Sequence, residues 1–222
     1  MRLALLGPPG AGKGTQAIRI AHRMKIAHLS SGDILRSEKS SGTPLGLKIR
    51  DFIDHGKLVP DDLMIRVMED RVARIHGGFV LDGFPRTMVQ AADLAGFLDS
   101  IHKPLDLVVN FVLDEKVLSR RFEGRRVCPV CGSVYHLDTM PPEVPGLCDQ
   151  DGQALVTRPD DQPEVVRERI KTYRLSVEPL VDFYTKRGIL ITLDAAGAPN
   201  DVTASVLELI RGHAGKKRQT NI

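Results

Sequence analysis

Nine residues, Gly7-Pro8-Pro9-Gly10-Ala11-Gly12-Lys13-Gly14-Thr15, constrain this chain more than any other stretch. They follow the apolar run Arg2–Leu6 directly and lead into Ala17, Ile20, Ala21 and Met24, spaced i, i+3, i+4, i+7 as one face of a helix. Glycines in such a turn let backbone N–H groups face inward and surround phosphate oxygens. The helix adds its positive N-terminal end, and Lys13 reaches the β- and γ-phosphates. The pattern departs from GxxxxGK[ST] in one respect, because Gly14 follows Lys13 and the hydroxyl comes at Thr15. A glycine turn with no ligand is the plainer alternative, but both flanks suit a phosphate cradle built of Gly10, Ala11, Gly12, Lys13, Gly14 and Thr15. The loop alone implies nucleotide binding and leaves the reaction open.

The rest of the chain alternates in the same manner. Phe79–Leu81, Leu107–Leu113 and Ile189–Leu193 join Arg2–Leu6 as short runs of Leu, Val and Ile with little polar alternation, and Ile26–Leu29 is a candidate fifth. Such runs suit strands buried on both faces of a parallel sheet. Helical stripes lie between them: Met64, Val67, Met68, Val72 and Ile75; Val166, Ile170, Tyr173 and Val177 after Pro163; and Val202, Val206, Leu209 and Ile210. An α/β fold with a doubly wound parallel sheet flanked by helices is predicted. Residues 1–29, 60–123 and 162–222 form its core.

Two stretches interrupt the alternation and read as inserted lobes. Residues 30–59 have helical character but no strand, broken by turn residues at Ser40–Pro44. Residues 124–161 hold all three cysteines, the crowded Pro141, Pro142 and Pro145, several glycines and little periodicity. The polar tail from Lys216-Lys217-Arg218 onward is expected to be frayed.

Composition excludes several classes. Lys+Arg 31 against Asp+Glu 28 leaves a net charge of only +3, too little for a dedicated nucleic-acid binder. With 42% hydrophobic and 27% charged residues, 222 residues are enough to bury a real core, which excludes general disorder. No apolar run approaches the ~18 residues of a membrane span, and Leu3–Leu6 runs into the glycine loop without a signal-peptide pattern. A cytoplasmic protein is expected, in which three cysteines favour a metal or free thiols over disulfides.

Five motifs occur in one order: the GKGT loop, Ser31-Gly32-Asp33 with Arg36, Leu81-Asp82-Gly83-Phe84-Pro85-Arg86, Gly124-Arg125-Arg126, and Arg158-x-Asp160-Asp161. In that combination the chain resembles adenylate kinase of the bacterial type with a long lid, over Met1 to Arg211. The resemblance implies a P-loop fold, with 30–59 as the AMP-binding lobe and 124–161 as the lid. It also implies reversible phosphoryl transfer, Mg·ATP + AMP ⇌ Mg·ADP + ADP, with ATP, AMP and ADP as small-molecule partners, and a monomer by analogy. Gathering so many phosphate oxygens makes catalysis mainly positioning and charge neutralisation, so Lys and Arg should surround the transferred group. Lys13, Arg86, Arg125, Arg158 and Arg169 are the candidates, and each guanidinium can fork onto phosphate. Asp82, at the end of a buried strand, suits the orientation of Mg²⁺-bound water.

The remaining contacts are carried by the resemblance. On the ATP side Arg121 packs on adenine, Arg125 reaches phosphates, Val134-Tyr135 covers the nucleotide and Ala198 supplies a backbone contact. Arg121 and Arg125 share a helix face if that helix persists through Gly124. On the AMP side stand Ser31, Arg36, the backbone at Lys57, Leu58 and Val59, the turn Gly83, Phe84, Pro85 and Arg86, and Arg158 and Arg169. Gln90 reads the adenine edge, its amide offering a donor and an acceptor. Ser31 replaces the more usual Thr, keeping the hydroxyl and losing a methyl.

Cys128-x2-Cys131, sixteen residues, then Cys148-x2-Asp151 is a four-ligand tetrahedral pattern with Asp in the last place. Thiolates and a carboxylate both suit Zn²⁺, and a site with no open position is structural. The zinc lids of some adenylate kinases show the same ligand set. His136 is at a poor spacing for a ligand. Three rival readings remain: a nucleoside monophosphate kinase for another base, a GTPase-type switch, and a zinc-knuckle nucleic-acid module. The second lacks an [NT]KxD motif, and one DxxG match, Asp149-x-x-Gly152, falls inside the metal pattern. The third is disfavoured by Asp138, Glu143, Asp149 and Asp151, which repel phosphate.

Overall fold

The computed structural model describes residues 1–40, 42, 44–55 and 57–220, and at 44, 45, 51 and 214–220 the backbone alone. Its strands are β1 (Arg2–Leu6), β2 (Ala27–Ser30), β3 (Phe79–Asp82), β4 (Leu107–Val112), β5 (Arg125–Val127), β6 (Val134–His136) and β7 (Leu190–Asp194). Its helices are α1 (Lys13–Met24), α2 (Ser31–Ser40), α3 (Pro44–Asp54), α4 (Asp61–Ala73), α5 (Met88–Ser100), α6 (Glu115–Glu123), α7 (Pro163–Ser176), α8 (Pro179–Lys186) and α9 (Pro199–Thr220).

Alternation along β1 decides the layering. Leu3 and Leu5 enter one apolar cluster with α1 and α9, while Ala4 and Leu6 enter another with α4, α5 and α8. All four side chains are at most 2% exposed. A strand apolar on both faces needs helices on both, and each fully buried Leu, Val or Phe contributes about 1.5–3 kcal/mol of transfer free energy. The main sheet runs β2-β3-β1-β4-β7 with every pairing parallel. Strand order diverges on either side of β1, so the loop after β1 opens into the crevice at the carboxyl edge, the usual ligand position of such sheets. Register brings Ser30, Asp82 and Asn110 to that edge beside Leu5 and Leu6.

The predicted fold class is the observed one, with local differences. The fifth strand is Ala27–Ser30, one residue later than expected, and β7 ends at Asp194. β7 has a neighbour on one side only, which leaves Thr192 and Asp194 exposed where burial on both faces was expected. Ile75 falls beyond α4, and in α9 Leu207 is buried where Leu209 was expected. The break at Ser40–Pro44 separates α2 from α3, with Ser41 and Thr43 outside the described residues. The C-terminal helix continues to Thr220 through the Lys216-Lys217-Arg218 run expected to fray, and Asn221 and Ile222 lie outside the described residues. Within 124–161 the chain forms the antiparallel pair β5-β6 and a short 3₁₀ turn at Pro159–Asp161.

Candidate active site

The loop after β1 is shaped by glycines where no other residue fits. Gly12 caps α1 with φ 85°, and no side chain caps the first turn, so its N–H groups stay available to an anion. Gly10 (φ +82°) lies against the ring of Phe122 so closely that a Cβ there would come within 2.8 Å of Cε2. Lys13 folds back over the loop, its Nζ donating to the carbonyls of Gly7 at 2.7 Å and Pro8 at 2.8 Å. Burial pushes the Lys13 ammonium down from 10.5 to about 7; Asp82 opposes the shift, while Arg86, Arg169 and Arg125 add to it.

A cavity of about 610 Å³ extends from this loop between the sheet edge and the 124–161 segment, and Thr15, Asp82, Val134 and Ala198 are among its lining residues. Arg121 spans one end of it, donating to Ala11 O at 3.2 Å and Ala195 O at 2.6 Å. The Ala198 carbonyl accepts from Val202 N at 3.1 Å as α9 begins. Arg121 and Arg125 do not share a helix: α6 stops at Glu123, and Arg125 opens β5. A Cβ on Gly124 would lie 2.4 Å from the His136 ring, so the close approach of β6 requires glycine where the helix ends.

Arginines form the wall beyond Lys13. Arg125 forks onto Asp161, with Nε 2.7 Å from Oδ2, and the Asp161 side chain is completely buried. Arg169 donates to Asp160 Oδ2 at 2.8 Å, and Arg86 Nε donates to Gly83 O at 2.6 Å. The Arg158 side chain makes no hydrogen bond or ion pair among the described residues, and burial, with Arg36 and Arg125 nearby, brings its pKa down to about 10. Burial does the same to Arg169, likewise to about 10. Burial alone would raise Asp160, but Arg169, Arg125, Arg36 and Arg158 outweigh it and hold the carboxyl below its ordinary range. Under this wall lies Phe122, with the Arg125 and Arg169 guanidinium carbons 4.9 and 5.8 Å from its ring centroid. Phe122 carried no motif, and Asp160 and Asp161 had been quoted in one without a role. Only their burial next to arginines reveals their part.

A second cleft, of about 80 Å³, lies between α2, α3 and the end of β3. It is lined by Ser31, Arg36, Lys57, Leu58, Val59, Gly83, Arg86 and Gln90, and it shares Arg36, Arg86 and Arg169 with the large cavity. Phe84 does not line it: the ring is 1% exposed inside the apolar core. Pro85 faces a further small hollow behind Lys13. Ser31 Oγ lies 2.7 Å from Gly83 O and 3.2 Å from Asp82 O, so its proton is directed at the chain end of β3.

Two clefts thus meet at shared arginines, and the larger begins at the glycine loop after β1. The family model for adenylate kinase matches residues 5–189. The chain belongs to the adenylate kinase family. Proteins named adenylate kinase from Bacillus velezensis and Kosmotoga olearia are 44% identical over 214 residues and 46% identical over 210. These spans cover 96% and 94% of this chain and 99% and 98% of the relatives. A third, from Salinispora tropica, is 44% identical over 217 residues, covering 97% of this chain and 100% of its own. As a member of this family the chain is a nucleoside monophosphate kinase, and the GTPase-type switch reading is not favoured.

The cysteines converge as their spacing predicted. One ligand atom from each of Cys128, Cys131, Cys148 and Asp151 lies within 4.8 Å of the others. Cys131 Sγ is 3.5 Å from Cys148 Sγ, and Cys128 Sγ is 3.2 Å from Asp151 Oδ2. Backbone N–H groups of Val130 and Cys131 point at Cys128 Sγ, both at 3.4 Å. Tyr135 lines the large cavity together with Val134, and its ring, 7% exposed, also packs with Cys128 and Cys148, its hydroxyl accepting from Asp149 N at 2.9 Å. That packing braces the cluster at the edge of the cavity. His136 stands outside the cluster, its Nδ1 accepting from Asp138 N at 3.1 Å and Thr139 N at 3.3 Å.

Proposed function

We propose that the large cavity takes Mg·ATP, that the second cleft takes AMP, and that the shared arginines carry the phosphoryl group between them. The observation that supports this most is the common wall: Arg86 and Arg169 line both clefts, where a group bound in either meets the same guanidinium groups. On this reading the α1 N-terminus and Lys13 hold the β- and γ-phosphates, Arg121 and the Ala198 loop take the adenine of ATP, and Arg36 and Arg86 take the AMP phosphate. Arg125, Arg158 and Arg169 neutralise charge on the transferred group, and the acids Asp160 and Asp161 hold two of them in place. Segments 30–59 and 124–161 act as lobes on a core of 1–29, 60–123 and 162–222, excluding water from the transfer.

Mg²⁺ arriving with ATP supplies further neutralisation of phosphate oxygens. Asp82 suits its water shell, because Oδ2 faces the loop only 3.2 Å from where a Gly14 Cβ would sit, leaving glycine as the residue that clears the approach. The Cys128, Cys131, Cys148 and Asp151 cluster suits Zn²⁺, whose tetrahedral bonds of about 2.3 Å to sulfur fit four ligand atoms at this separation. Zinc there cross-links the lid and takes no part in transfer. One chain holds every candidate residue, which supports a monomer, and a thiolate metal site supports a reducing, cytoplasmic setting. A coupled assay of ADP formation from ATP with AMP, CMP, UMP and GMP in turn tests the assignment. AMP should be turned over far faster than the others, and equal rates with all four would defeat it.

A further inference from the structure

The amide of Gln90 is pinned from both sides. Gln90 is 1% exposed, and its Oε1 accepts from the backbone N–H of Arg86 at 2.7 Å. Its Nε2 donates to Asp61 Oδ1 at 2.8 Å. The second Asp61 oxygen accepts from the Thr87 hydroxyl at 2.9 Å, and Thr87 caps α5 by accepting from Gln90 N at 3.2 Å. A backbone N–H only donates and a carboxylate only accepts, so this pair of neighbours allows one amide orientation. Reversing it would set oxygen against the Asp61 carboxylate and hydrogens against the Arg86 N–H, two buried mismatches at once.

The amide keeps one N–H and one oxygen lone pair beyond these bonds, and Gln90 lines the second cleft. A 6-aminopurine presents a ring-nitrogen acceptor beside an amino donor. A 6-oxopurine presents the reverse, a ring N–H beside a carbonyl oxygen. An amide held in one orientation matches one of these edges, and an amide free to turn over matches either. We propose that Asp61 is a positioning residue that selects a 6-aminopurine monophosphate over its 6-oxo counterpart by fixing the orientation of Gln90. The proposal rests on the second cleft being the monophosphate site, with Gln90 at the base.

AMP and IMP differ at this edge alone, so the ratio of their kcat/KM values is the readout. In Asp61→Asn the new carboxamide can offer either an oxygen or an NH₂ group to Gln90, so one of the two mismatches that forbid reversal is lifted and only the Arg86 N–H still opposes it. The AMP-to-IMP ratio should fall by about tenfold or more, through a raised KM for AMP and improved use of IMP, while the KM for ATP stays put. On a Gln90→Ala background Asp61→Asn should change the ratio no further. Thr87→Val removes the other Asp61 bond and the α5 cap, and should lower the melting temperature while the ratio holds. A ratio unchanged in Asp61→Asn, or lowered as much by Thr87→Val, would reduce Asp61 to a structural tie between α4 and α5. A wild type that uses IMP as readily as AMP would overturn the assignment of the cleft itself.

Discussion

Lys13 is costly to the fold and, on the proposed reading, necessary to the site. Buried beneath the loop it titrates near 7, whereas in the unfolded chain it titrates near 10.4. Between these values the unfolded state holds a proton that the folded state has released, so nucleotide-free stability should rise with pH across that window, and below pH 7 the penalty is complete. Lys13→Met removes both the charge and this dependence. Denaturant unfolding at pH 6 should find the variant at least as stable as the wild type, while its kcat falls by a factor on the order of 10³ or more. Near-normal turnover in the folded variant would defeat the phosphate-loop assignment. Gly10 is constrained differently, by its left-handed backbone and by Phe122 at 2.8 Å from a would-be Cβ. Gly10→Ala should destabilise by about 2–4 kcal/mol from both sources. Adding Phe122→Leu removes the clash but not the backbone strain, so the double variant should be less destabilised than the sum by about 1 kcal/mol. Strict additivity in thermal melts would mean the ring does not set the loop.

At the scale of the element, the segment 124–161 has little apolar burial beside its Cys128, Cys131, Cys148 and Asp151 cluster. Its buried hydrophobic cluster is only Cys128, Tyr135 and Cys148, with Leu155 packed alongside. A small sheet of two short strands is marginal by itself, so a bound metal should supply much of the lid's order. Purified protein should contain about one zinc per chain. Chelation, or Cys128→Ser, should lower the melting temperature and increase amide exchange across β5 and β6, leaving β1, β3 and β4 protected, because the lid can unravel without the core. Asp151→Cys should keep zinc at equal or greater affinity. No metal in protein prepared under reducing conditions without chelators, or unaltered zinc affinity in Asp151→Ala, would dismiss the four-ligand set.

Across the whole molecule, the clefts concentrate positive charge from three separate regions of the chain. Arg36 comes from α2, Arg125 and Arg158 from the 124–161 segment, and Lys13, Arg86 and Arg169 from the core. Asp82, Asp160 and Asp161 offset part of this, and Arg158 stays without an ion pair among the described residues. On the proposed reading nucleotide phosphates complete the balance, so assembly of both lobes should follow ligand binding. Two adenosines joined by five phosphates should bind much more tightly than ATP or AMP alone, weaken with added salt, and reduce the radius of gyration. Unchanged small-angle scattering with and without this ligand would argue against two mobile lobes.

Local chemistry was legible in the residues because it is written in short spacings: the glycine loop needs consecutive backbone N–H groups, and the Cys128, Cys131, Cys148 and Asp151 pattern needs two tight turns. The layered α/β fold was legible for a similar reason, since Leu3–Leu6 is apolar on both faces and can be buried only between helices. The sequence by itself therefore determined the fold class, and it singled out the glycine loop, the arginines and the Cys-Asp quartet that the fold brings together as candidates. What it left open depends on residues far apart in the chain. Phe122 under Gly10, Asp161 on Arg125, Asp61 on Gln90, and Tyr135 turned toward the cysteines have no periodicity or motif that pairs them. Such contacts arise only when strands and helices pack and most buried donors, acceptors and charges find partners, and that matching is a property of the tertiary structure.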